Sequence, residues 1–168
     1  MADLVLHPTA LSQWYALVSE AAVRCHTRIH EDSESYLVFL LMRFNHELSL
    51  AESVLALDFL NAMHEPNYQK RKDILRNVGD KSLLFCGLFP GIADRKSINL
   101  SYFMNMGQSA YFSIATLEDT QTSDLFALLG TQFVPMKNVL QSMCELQTPV
   151  LPMNVSRSAP IAYSRHLQ

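Results

Sequence analysis

The chain has 168 residues, 49% of them hydrophobic and 17% charged, enough apolar material for a substantial core in one domain or two very small ones, which excludes disorder as its main state. Thirteen Lys and Arg against 16 Asp and Glu leave a formal net charge of -3, so no global positive field draws it to nucleic acid or anionic lipid, and neither partner is expected. Three cysteines, Cys25, Cys86 and Cys144, are odd in number and widely spaced, which excludes a disulfide framework and predicts reduced core thiols.

Taken in chain order, Met1 to Pro8 lacks the basic and long apolar regions of a secretion signal, so a cytoplasmic location is expected. Thr9 is placed to cap a helix over about 10–25, where Leu11, Trp14, Tyr15, Val18, Ala22 and Cys25 recur at spacings of three and four. His26 to Ser35 reads as a polar loop whose Glu31, Asp32 and Glu34 suit a following helix N-terminus, and a second helix is expected over about 34–46. Its centre, Tyr36 to Met42, is apolar all round, so periodicity alone leaves a buried strand as an alternative; Leu and Met content and the helical neighbours favour helix. This longest strong apolar run stops at Arg43, well short of the roughly 18 residues of a membrane span.

Ser49-Leu50-Ala51-Glu52 matches a capping box and predicts a third helix over 50–63, ended ahead of Pro66. Asn67 caps a fourth, polar at Gln69 to Asp73 and apolar at Leu83 to Cys86; Gly79 either bends this helix or divides it, with Asp80 then capping the second part. Gly87 in a left-handed cap conformation and Pro90-Gly91 in a turn are expected to end it, with Arg95 and Lys96 in the loop beyond.

A helix over 98–117 then places Leu100, Phe103, Met104, Gly107, Tyr111, Ile114 and Ala115 on one face. Gly107 in its middle costs roughly 1 kcal/mol against Ala, which predicts that another backbone crosses closely there. Thr122 or Ser123 starts a last long helix reaching Glu145, with a face of Leu125, Leu129, Phe133, Met136, Leu140 and Met143 and a kink at Pro135. Beyond Leu146, Pro149, Pro152 and Pro160 predict an extended tail, whose Val150, Leu151, Met153, Val155 and Ile161 suit packing on the domain or on a partner chain. With no alternation of period two and no hairpin signal, the fold class is all-α: a single-domain bundle of about six to seven helices over 1–146 and a proline-containing tail over 147–168.

The stretch Val78-Gly79-Asp80 through Gly87-Leu88-Phe89-Pro90, then Arg95-Lys96, Tyr102-Phe103 and Met106-Gly107-Gln108-Ser109-Ala110-Tyr111, together with the upstream Tyr36-Leu37-Val38-x-Leu40-Leu41-x-x-Phe44, resembles the signature of an uncharacterised bacterial helical family. The resemblance spans roughly 36–115, and Phe103 stands where the pattern has a second tyrosine. It implies a helical fold and no particular reaction.

Among candidate sites, His26 and His30 are four apart, as on one helix face; further ligands would have to come from His46, His64 or a carboxylate, and no Glu-x-x-His pair is present, so no metal or cofactor is assigned. Cys86 sits at a helix C-terminus, where the dipole raises a thiol pKa, and is read as an inert buried thiol. No nucleophile elbow, phosphate loop or dinucleotide turn is present, so catalysis has no visible signature. Lys70, Arg71, Lys72 and Arg76 form a basic helix face that reads as solvated. Asp80 with Arg95 or Lys96 is a candidate ion pair closing the Gly-x-Phe-Pro loop, within a structural motif of Gly79, Asp80, Gly87, Pro90, Arg95, Lys96 and Gly107.

A mean hydropathy of +0.06, eight Met and the apolar tail predict a non-catalytic interaction or regulatory protein that self-associates, as a homodimer, and can take another protein partner. The alternative is a small-molecule binder or enzyme whose pocket between helices uses Tyr102, Asn105, Gln108 and Tyr111 to hold an amphiphilic ligand.

Overall fold

A computed structural model describes residues 9–46, 55–89, 91, 99–117 and 120–145. Among them are seven helices and no strand: α1 Ala10–Arg24, α2 Glu31–His46, α3 Leu55–His64, α4 Tyr68–Leu88, α5 Leu100–Leu117, α6 Gln121–Thr131 and α7 Phe133–Glu145. The chain is all-α. Ser49, Pro90, Arg95, Lys96 and the tail from residue 146 lie outside the described residues.

Local chemistry sets most helix ends. Thr9 accepts the Ser12 amide at 3.2 Å and Asn67 the Lys70 amide at 3.0 Å, each satisfying a donor that a helix start would leave orphaned. Helix α1 closes with Thr27 N–H on the Ala22 carbonyl and His26 N–H on that of Val23, with His26 at a φ of 52°. That is the left-handed position usually given to glycine. His26 therefore sits in a cap and His30 ahead of α2, so the expected shared helix face does not exist. Helix α2 begins three residues earlier than its periodicity suggests, because Glu31, Asp32 and Glu34 form its first turn, where the helix dipole favours negative charge.

Helix α4 runs unbroken through Gly79, and from Leu75 to Leu88 it is buried on nearly all sides, as a central helix must be. It packs on α3, α5 and α7, while α1 packs on α2 and α7, and α5 on α6. Gly87 is not a left-handed cap. It lies inside α4 against the Leu140 side chain, and Phe89 caps the helix.

The long final helix is two helices. Pro135 has no N–H for the Thr131 carbonyl, and the chain breaks at Gln132, whose own amide still bonds Leu128 at 2.8 Å. Pro135 then falls in the first turn of α7, where its missing donor costs nothing. The Gln132 side-chain oxygen accepts the His30 amide at 2.7 Å, tying the break to the α1–α2 connection. Helix α6 starts at Gln121 with Thr120 as its cap residue, slightly ahead of the expected Thr122. The expected face survives the break: Leu129, Phe133, Met136, Leu140 and Met143 are all buried.

Helix α5 crosses α4 and α7 at Gly107. A Cβ there would stand 2.5 Å from the Phe133 ring and 2.8 Å from the Ser82 Cβ, so the glycine makes room for neighbouring side chains, where the sequence suggested a crossing backbone.

Candidate functional site

The site is built on one buried carboxylate. On α4, Lys72, Arg76 and Asp80 are four residues apart and share a face. On α2, Tyr36, Phe39, Leu40 and Arg43 fall at the spacings of a single stripe. Neither helix packs its backbone closely on the other, so side chains bridge the space between them.

Asp80 Oδ1 accepts the Tyr36 hydroxyl at 2.6 Å and the Tyr111 hydroxyl at 2.8 Å. Its Oδ2 accepts a hydrogen bond from Arg43 and lies 3.8 Å from Arg76 Nε, an ion-pair distance too long for a hydrogen bond. Three hydrogen bonds and one further ion pair engage this carboxylate, which is what makes its burial tolerable. Burial first, and the Asp80 charge second, push both phenols well above the ordinary tyrosine range, so both remain donors at neutral pH.

Gly79 makes this geometry possible. A Cβ at that position would stand 2.7 Å from Tyr111 Cδ1; without one, the ring lies against α4 and its hydroxyl reaches the carboxylate of the next residue. Phe126 and Phe133 close the aromatic cluster, with centroids 5.9 and 6.1 Å from Tyr111, and Arg76 stands over the Tyr36 ring at 5.8 Å, within cation–π range.

Beside this hub, between α2, α4 and α6, is a pocket of about 370 Å³ lined by Tyr36, Phe39, Leu40, Arg43, Lys72, Arg76, Thr122, Leu125 and Phe126. Its lining combines cations of α2 and α4 with aromatic and aliphatic side chains of α2 and α6. Arg76 Nε is buried and makes no hydrogen bond, and among the described residues Asp80 is the carboxylate that both guanidiniums share.

The sequence-derived candidates fall in different places. Tyr111 belongs to the Asp80 hub, Gln108 donates to the Gly130 carbonyl at 3.3 Å, and Tyr102 and Asn105 are exposed; the four do not converge on one another. The basic stretch divides around α4. Lys70 is exposed, Arg71 folds back on the Glu65 carbonyl at 2.7 and 2.9 Å, and Lys72 and Arg76 turn to the pocket. Asp80 finds its described cationic partners in Arg43 and Arg76, while Arg95 and Lys96 lie outside the described residues. Cys86 is buried and its thiol is pushed up to about 11 by desolvation. No group of three His, Cys, Asp or Glu among the described residues converges as a metal site would.

Sequence reasoning missed Tyr36, Phe39 and Arg43 as site residues. The signal was their spacing on α2, hidden because the whole segment from Tyr36 to Met42 is apolar and no face stands out.

No protein-family model matches the chain, and no curated protein or solved structure matches it either. Tyr36, Gly79, Asp80 and Tyr111, singled out together in the sequence, meet in the hub. Among the described residues, no helix is long and apolar enough to cross a membrane.

Proposed function

We propose that this chain is a non-catalytic, cytoplasmic binding protein that holds a small amphiphilic molecule in the pocket between α2, α4 and α6. The carrying observation is the pocket itself: charged side chains of α2 and α4 meet apolar side chains of α2 and α6, beside a hub that holds Arg43 and Arg76. A non-catalytic role is supported by the state of the titratable groups. Both phenols are held protonated, so neither is poised to exchange a proton near neutral pH. Three free thiols, Cys25, Cys86 and Cys144, suit a reducing compartment.

The test is a fragment screen by ligand-observed NMR on the wild type and on Thr122→Trp, which fills the pocket from α6 and replaces no hub residue. Amphiphilic fragments should bind the wild type and be lost in the variant. Hits that survive the substitution, or no hits at all, would reject the pocket as the working site.

A second reading, self-association, has its own observation. Leu57, Leu60 and Met63 recur every third residue along α3 and are 54%, 57% and 53% exposed, an apolar stripe that a homodimer would bury. Sedimentation should give twice 19.0 kDa at micromolar concentration, and Leu60→Glu should return the chain to monomer. A monomeric wild type would remove this reading and leave the pocket untouched.

A further inference from the structure

We propose that the molecule held beside Asp80 carries an oxyanion headgroup, a carboxylate or a phosphate monoester, bound by Arg43 and Arg76, and an apolar body of one ring or a short chain against Phe39, Leu125 and Phe126; this rests on the pocket being the binding site.

Charge comes first. Arg43 and Arg76 share the single Asp80 carboxylate, which leaves one positive charge uncompensated within the triad. Gathering like charges is unfavourable unless something negative joins them, and the chain as a whole is acidic at -3. The positive pocket is therefore a local feature of this site.

Hydrogen bonding points the same way. Arg76 carries five donors in a planar fork matched to carboxylate and phosphate oxygens. Its Nε is buried without a hydrogen bond, and the side chain is held by a 3.8 Å ion pair with Asp80 and by Tyr36. The side chain as a whole is 42% exposed, which leaves donors at the outer end of the fork for an oxyanion in the pocket. Asp80 and the Tyr36 ring hold the fork in place before the ligand arrives, so less conformational entropy is lost on binding.

The remaining lining sets the rest of the ligand. Phe39 is 57% exposed, a large ring left uncovered in a pocket also lined by Leu125 and Phe126. A volume of about 370 Å³ lies near the lower end of the roughly 300–1,000 Å³ typical of ligand pockets, which suits a headgroup with one ring or a short chain. A bare inorganic anion would leave that wall unused.

Calorimetric titration of the full chain at low salt should test this with 3-phenylpropionate and phenyl phosphate, with neutral 3-phenylpropionamide as the isosteric control and inorganic phosphate as the headgroup alone. Both organic anions should bind at least tenfold more tightly than the amide and than inorganic phosphate, and should weaken as salt rises. Arg76→Lys keeps the charge facing Asp80 and loses the fork; it should weaken both anions at least fivefold while leaving the amide unchanged. If the amide binds as tightly as the acid and is lost in Thr122→Trp, the anion assignment is wrong and the pocket stands. Inorganic phosphate binding as tightly as phenyl phosphate would overturn the apolar half. If no probe binds, or if binding survives Thr122→Trp, the pocket reading fails together with the inference.

Discussion

At the scale of single residues, Asp80 decides most. Two buried or largely buried hydroxyls and two guanidiniums converge on it, so its removal leaves several groups unsatisfied at once. Asp80→Ala should destabilise by about 2–4 kcal/mol, the combined cost of an orphaned Tyr111 hydroxyl and of cations deprived of their counter-charge. Asp80→Asn keeps a side-chain oxygen for the phenols and loses the charge, and it should cost less. Urea titrations of both variants measure the difference. Equal costs would mean that the ion pairs carry the stabilisation and the phenol hydrogen bonds contribute nothing.

At the scale of helices, the crossing of α5 over α4 and α7 depends on the absence of one side chain. A Cβ on residue 107 meets Phe133 at 2.5 and 2.6 Å and Ser82 Cβ at 2.8 Å. The first is the ring of a fully buried residue and the second is fixed to its backbone, so neither yields cheaply. Gly107→Ala should therefore destabilise by about 1–3 kcal/mol despite alanine's better helix propensity, and Gly107→Leu by more. A raised urea midpoint for Gly107→Ala, with unchanged slope, would show that the helices can move apart without loss. The same packing logic places Gly79 under the Tyr111 ring and so joins a helix crossing to the chemistry of the hub.

At the scale of the whole molecule, the buried acids make stability depend on alkaline pH. Tyr36 and Tyr111 have folded pKa values above the ordinary value near 10, so the native state favours their protonated forms. That stabilisation is complete below about pH 10 and is lost as pH rises beyond it, by up to about 1.4 kcal/mol per pH unit for each group. Cys86, pushed up to about 11 from an ordinary 9.0, adds the same sign from a lower starting point. Unfolding midpoints should be level from pH 7 to 8.5 and fall steeply above 10. Tyr111→Phe should start from a lower midpoint and fall less steeply; an identical slope would mean that Tyr111 is not titrating out of the core.

How much was legible differs by level. The fold class, the caps at Thr9 and Asn67, and the buried faces of the later helices could be read from the residues alone, because these follow from periodicity and from hydrogen bonds only a few residues long. The sequence also marked Gly79, Asp80, Gly107 and Tyr111 as a motif without saying what joined them. Only the tertiary structure decided that Asp80 answers to Arg43 and Tyr36, 37 and 44 residues away, that Tyr111 turns inward while Tyr102 stays exposed, and that Phe39 faces a pocket when its neighbours Val38 and Leu40 are buried. An apolar segment such as Tyr36 to Met42 contains no contrast between its faces, so its orientation is set by what packs against it. Partner choice for a charge likewise depends on which helices meet, and that is fixed by the packing of the whole core.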